Sequence, residues 1–282
     1  MKKVIAAAMI LMIAGAAFAG DVITIKGSDT MIRLGQRWAE EYMKLNHGLT
    51  IQISGGGSGT GIAALINGGT DICQASRDMK EQEYTQAEAS GHKAYRVSVA
   101  LDGIAVFLNN ENTVKELSLA QLKGIYTGSI TNWKEIGGAS HVIILYGREN
   151  SSGTYSFFKE HVLKNEDYAD QTQTLPGTAA VVNAVSKDKY GIGYGGLAWA
   201  SGVKFADVKK TDTSKAVTPS NETVSGGTYP ISRELYWFFS GAPTGELKKL
   251  VNWALSPEGQ KLAAEVDYVP LPKEMVEKNL IK

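Results

Sequence analysis

Three stretches of this chain carry the same small chemistry. Lys26-Gly-Ser-Asp-Thr-Met31, Ser54-Gly-Gly-Gly-Ser-Gly-Thr-Gly61 and Tyr146-Gly-Arg-Glu-Asn-Ser-Ser-Gly-Thr154 each set two hydroxyls at i, i+2 spacing: Ser28 and Thr30, Ser58 and Thr60, Ser152 and Thr154. Each stretch follows a strand-like run and precedes a helix-like one. A helix start leaves backbone N–H groups without intrahelical partners, and its dipole favours negative charge. Glycine lets the main chain approach a ligand closely. Hydroxyl donors added to such a start make an anion site. Helix capping uses the same residue types, and for any one loop it is the plainer explanation. Three loops of one composition, all at the strand-to-helix edge where α/β sheets hold ligands, point to a shared ligand.

Two arginines stand beside the loops. Arg148 precedes the third Ser-Gly-Thr by four residues, and Arg77 follows the strand after the second loop. A guanidinium presents a planar fork of donors that suits an oxyanion. Adjacent Asp78 and Glu149 leave open an ordinary ion pair for each. A nucleotide is a weaker reading. Gly59-x-Gly61-x-x-Ala64 fits a loose dinucleotide fingerprint but lacks the acid about 20 residues further on, and no GxxxxGK[ST] loop exists. A secreted phosphatase with a Ser nucleophile needs a base, yet no His lies in the three loops and no G-x-S-x-G elbow is present.

The elements that must position these loops can be read from periodicity. Residues 22–25, 49–53 and 71–75 read as strands, and 32–45 and 61–66 as helices, which is β-α-β-α-β and predicts a parallel sheet. Beyond that, 97–109 reads as a long apolar strand broken at Asp102-Gly103. Residues 119–126, 154–163 and 179–186 read as helices, and 141–145 as a strand. The stretch 191–196 reads as turns, 207–228 as a polar surface loop, 235–239 as a buried strand, and 246–254 and 258–265 as closing helices. The single Cys73 is expected buried in a strand.

Composition narrows the function classes. The chain has 282 residues, 43% hydrophobic and 21% charged, a globular balance. Lys and Arg number 29 against 29 Asp and Glu, which argues against a nucleic-acid binder. One Cys excludes multi-cysteine zinc sites, and His47, His92, His141 and His161 have no metal-ligand spacing. Lys2 and Lys3, an apolar run from Val4 and the ending Ala17-Phe-Ala19 describe a signal peptide over 1–19. The run is too short for the roughly 20 residues that span a bilayer, so an exported protein is expected.

Five segments in order carry a family resemblance: Gly27-Ser-Asp-Thr30, Gly57-Ser-Gly-Thr-Gly61, Thr70-Asp-Ile-Cys-Gln-Ala-Ser-Arg77, Ile125-Tyr-Thr-Gly-Ser-Ile-Thr-Asn-Trp-Lys-Glu-Ile136 and Gly147-Arg-Glu-Asn-Ser-Ser-Gly-Thr154. The chain resembles the periplasmic phosphate-binding proteins of phosphate ABC transporters. The resemblance implies an α/β type II periplasmic binding protein fold, with two lobes joined by two hinge strands around a ligand cleft. Lobe I would be 20–101 plus 230–282 and lobe II 102–229. It implies phosphate ligands at Ser28, Thr30, the backbone of Met31, Ser58, Arg148, Ser152, Gly153 and Thr154. Well-known members carry Asp where this chain has Arg77, so Arg77 would add a donor, and the carboxylate that accepts the ligand proton must lie elsewhere. Asp102 is the preferred candidate and Asp29 the other. A membrane ABC permease is the implied partner, the periplasm the implied location, and a monomer without cofactor or metal, not an enzyme, the implied state. Sulfate, molybdate or phosphonate is the alternative ligand.

Overall fold

Alternating and continuous apolar runs build the strands, and each Gly/Ser/Thr loop breaks a run where a helix must start. The computed structural model describes residues 21–282. The expected signal peptide lies outside the described residues. In chain order the first elements are β1 (Val22–Gly27), α1 (Ile32–Leu45), β2 (Thr50–Ser54), α2 (Ser58–Ile66), β3 (Ile72–Ala75), α3 (Glu81–Ala89), β4 (Ala94–Leu108), β5 (Glu116–Ser118), α4 (Leu119–Thr127), β6 (Ile144–Arg148) and α5 (Gly153–His161). Then follow β7 (Gln173–Leu175), α6 (Gly177–Lys187), β8 (Gly191–Gly196), β9 (Lys204–Lys209), α7 (Asn221–Ser225), β10 (Ser232–Ser240), α8 (Gly245–Ala254), α9 (Pro257–Glu265) and α10 (Lys273–Asn279).

The strands form one sheet path, β2-β1-β3-β10-β4-β8-β6-β7, with β9 beside β4 and β5 beside β9. The β1–β2 and β1–β3 pairs are parallel, as the βαβαβ alternation predicts. The turn of the sheet is carried by β4. Its residues 94–103 pair antiparallel with β10, and residues 104–108 pair with β8. The break expected at Asp102-Gly103 is absent, because β10 continues the ladder through both residues and sets Arg233 opposite Asp102.

The stretch 191–196 is a fully buried strand, not a set of turns. Its glycines are needed for packing. A Cβ on Gly195 would sit 2.5 Å from Thr178 Cγ2, and one on Gly193 would sit 2.6 Å from Val181 Cγ1. Their absence lets α6 lie directly on β8. The polar stretch 207–228 is not one loop, since it contains the end of β9 and the short α7. Helix α3 went unpredicted because its apolar face is small and only Ala87 is buried. The core joins the layers through aromatic contacts, with Trp38 of α1 edge-on to Trp237 of β10 at 5.2 Å. Cys73 is buried in β3, as expected.

Candidate anion-binding site

The first loop turns at Gly27, which sits at φ +138° with its Cα against the Gln74 carbonyl; a Cβ there would lie 2.1 Å from that oxygen. The Ser28 N–H donates to the same carbonyl at 2.8 Å, and the Ser28 hydroxyl donates to Ser76 Oγ at 2.8 Å. Gly56 and Gly57 hold positive φ and deliver Ser58 to the start of α2. Ser58 Oγ accepts the Ser76 N–H at 3.0 Å. In the third loop Ser152 caps α5, accepting from the N–H groups of Thr154 at 3.1 Å and Tyr155 at 3.3 Å.

The question of capping is thereby divided. Ser152 is a cap. Neither Ser28 nor the start of α2 shows a side-chain cap bond. The hydroxyls of Ser28, Thr30, Ser58, Ser76 and Thr154 converge instead. Thr30 Oγ1 and Thr154 Oγ1 lie 2.9 Å apart, and Ser58 Oγ and Ser76 Oγ 3.3 Å apart. The Gly59 N–H donates across to the Ser151 carbonyl at 2.9 Å, so the second and third loops meet main chain to main chain.

Two arginines complete the cluster. Arg148, at the end of β6, donates Nη1 to Thr178 Oγ1 and Nη2 to Asp29 Oδ2, both at 2.8 Å. Asp29 Oδ1 accepts the Gly56 N–H at 2.9 Å, so the first loop's carboxylate holds both the third loop's arginine and the second loop's backbone. Arg148 Nε is buried and meets no partner. Arg233, on β10, donates Nε at 3.1 Å and Nη2 at 2.7 Å to Asp102 Oδ2, Nη1 to the Ser76 carbonyl at 2.8 Å, and Nη2 to Thr154 Oγ1 at 3.0 Å. The cluster residues Ser28, Thr30, Ser58, Ser76, Asp102, Arg148, Ser152, Thr154 and Arg233 are each at most 6% exposed. Burial pushes the Asp102 carboxyl up, and the Arg233 guanidinium opposes that rise. Burial pushes the Arg148 guanidinium down, opposed by Asp29. Each positive charge is matched by a carboxylate. What the cluster offers a ligand is therefore a dense set of oriented donors in a water-poor site, where each is stronger than in water.

The sequence matches the PBP superfamily domain over residues 14–258. It is 34% identical over 270 residues to the phosphate-binding protein PstS of Pseudomonas aeruginosa, covering 89% of this chain and 84% of that one. It is 31% identical over 264 residues to that of Staphylococcus epidermidis, covering 90% and 80%. A solved structure of a putative phosphate ABC transporter substrate-binding protein from Clostridium perfringens, with bound phosphate, superposes with a TM-score of 0.82 at 31% identity, covering 89% of this chain and all of that one. The chain belongs to the PstS family of the PBP superfamily. Its fold is the α/β periplasmic-binding-protein fold that the resemblance implied.

The cluster differs from the sequence expectation at four residues. Arg77 is not in it. Its guanidinium makes a two-point pair with Glu83, at 2.7 and 2.8 Å, and donates to the Asp78 carbonyl. Glu83 is available because it also accepts the Lys80 N–H at the start of α3, an element the sequence did not reveal. The Met31 N–H is bonded to the Ser28 carbonyl at 3.0 Å, within the turn that precedes α1. Ser76 and Arg233 belong to the cluster and were missed. Period-2 alternation could have found Arg233, since it shares the buried face of β10 with Leu235, Trp237 and Phe239.

Gly153 packs directly against the second loop. A Cβ there would lie 2.3 Å from Ser58 Oγ and 2.7 Å from Ser76 Oγ. Gly153→Ala is expected to hold the second and third loops apart and to weaken anion binding at least tenfold by calorimetric titration. An unchanged affinity would show that the loops need not approach this closely.

Proposed function

We propose that this chain binds one inorganic phosphate in the cluster and hands it to a membrane ABC permease outside the cytoplasm, without covalent chemistry. The observation that carries the reading is the convergence of Arg148, Arg233, four hydroxyls from the three loops and the Ser76 hydroxyl after β3 on one buried point. The family relatives named for phosphate binding support it. Among the described residues no helix is long and apolar enough to cross a membrane.

Ser28, Thr30, Ser58 and Ser76 approach the ligand from the β1–β3 side, and Arg148 and Thr154 from the β6–α5 side. Arg233 reaches it from β10. A ligand held by both sides at once has higher affinity for the closed arrangement and shifts the population toward it. The division into lobe I and lobe II, with β4 and β10 as the connecting strands, is part of this proposal. Ser152 contributes by capping α5 and so fixing the Gly153 and Thr154 N–H directions. Arg77 takes no direct role.

Discrimination follows from the carboxylates. Asp102, ion-paired with Arg233, serves as the acceptor. Protonated phosphate brings a donor to it, whereas fully ionised sulfate brings only another acceptor. A buried acceptor facing an acceptor loses a hydrogen bond and adds repulsion. Titration calorimetry on protein stripped of ligand checks this. Phosphate and arsenate are expected to bind, with sulfate weaker by about a hundredfold, and a chromogenic phosphate ester is expected to remain unhydrolysed. Tighter binding of sulfate, molybdate or a phosphonate would move the assignment to another oxyanion. Ester turnover would make the protein an enzyme.

A further inference from the structure

The three-residue turn after β8, Leu197–Trp199, is held by Arg33 and by Thr30 of the anion cluster. The residue before it, Gly196, packs closely on Asp102, since a Cβ there would lie 2.9 Å from Asp102 Oδ1. The Ala198 carbonyl accepts from Arg33 Nη1, in the first turn of α1. The Trp199 indole N–H donates to the Thr30 carbonyl at 3.0 Å. The Arg33 guanidinium also lies 5.6 Å from the centre of the Trp199 ring, within cation–π range. Thr30 is thus held twice. Its hydroxyl meets Thr154, and its carbonyl takes the Trp199 N–H together with the Tyr268 hydroxyl. Leu197 and Trp199 are only half-buried, and a hollow of about 460 Å³ lined by Arg33, Leu197 and Ala198 opens beside them. The turn is therefore at the rim of the site, not in the core.

We infer that the Leu197–Trp199 turn is a latch, with Trp199 and Arg33 as the positioning residues that hold Thr30 against the ligand. This inference rests on the phosphate-binding reading above. The turn belongs to the segment between β8 and β9. Two of its partners, Thr30 and Arg33, belong to the segment between β1 and the middle of α1. The contacts therefore tie together the two sides that phosphate would bridge. Contacts of this kind exist only when the two sides are together. They stabilise the ligand-bound closed form without touching the ligand. Their loss should then appear in the rate of ligand release. The encounter rate is set by access to the open form and should not change.

The Trp199→Phe variant tests this because it keeps the ring and removes only the N–H. The control is Trp253→Phe, since the Trp253 indole N–H is buried without a partner and its removal breaks no bond. Dissociation of radiolabelled phosphate into excess unlabelled phosphate gives the release rate, and calorimetry gives the affinity. For Trp199→Phe, and for Arg33→Met, the expected result is release faster by about three- to tenfold, the scale of one hydrogen bond, with affinity weaker by the same factor. Trp253→Phe is expected to match the wild type. Equal release rates in Trp199→Phe and the wild type would overturn the latch while leaving phosphate binding intact. A slower association rate with unchanged release would overturn it too. Wild-type protein that binds no phosphate would overturn the functional reading itself, and the latch with it.

Discussion

Arg148→Met is expected to lower phosphate affinity by about a hundred- to a thousandfold. Truncating one partner of a buried, hydrogen-bonded charge pair costs about 2–5 kcal/mol, and each 1.4 kcal/mol is about tenfold in affinity. The setting of Arg148 places it in the middle of that range. It is almost wholly buried, Asp29 and Thr178 fix its guanidinium plane, and its Nε has no protein partner. Its loss also frees Asp29, which then presents an uncompensated carboxylate to the incoming anion. Asp29 is partly exposed, so water relieves some of that charge and the fold should survive. Calorimetry and a thermal melt on the same sample separate the two effects. Lost affinity with a melting temperature within a few degrees of wild type is the expected pair of results. Affinity within threefold of wild type would remove Arg148 from the site.

Arg233→Met is expected to fail differently. Arg233 and Asp102 form an ion pair in which both side chains are 2% exposed. Removing the cation strands a carboxylate away from water, which costs about 3–5 kcal/mol of stability. The same change removes the donors to Thr154 Oγ1 and the Ser76 carbonyl. The single variant should therefore both unfold more easily and lose phosphate. The Arg233→Met, Asp102→Asn double variant distinguishes the two losses. Removing the stranded charge should return most of the stability, measured by urea unfolding. Phosphate binding should stay lost, since the double variant lacks both the guanidinium and the charged acceptor. Recovered phosphate binding in the double variant would show that the pair only supports the fold.

The three hydroxyl loops were legible because their chemistry is local. Gly, Ser and Thr beside a helix start mean the same thing whatever the rest of the chain does. The parallel β1–β2 and β1–β3 arrangement was legible from alternation for the same reason. Features that depend on a distant partner were not. Arg77 looked like a donor beside the second loop's strand, but Glu83 in an unpredicted helix takes its guanidinium. Asp102-Gly103 looked like a turn, and the long pairing with β10 keeps it extended. The glycines of β8 looked like punctuation, and Phe107, Thr178 and Val181 are the neighbours that need them small. Arg233 sat in plain alternation with Leu235 and Trp237. An arginine on the buried face of a strand needs a buried partner, and that rule alone would have singled it out.

Phosphate is expected where the three loops converge, between Arg148 and Arg233. A crystal structure of the protein grown in phosphate tests it most directly. The expected result is a tetrahedral density peak within hydrogen-bonding distance of both guanidinium groups, of Ser58 and Thr154, and of the N-terminus of α5. A peak held by Arg77 instead, or a cluster that stays without density at saturating phosphate, would contradict it.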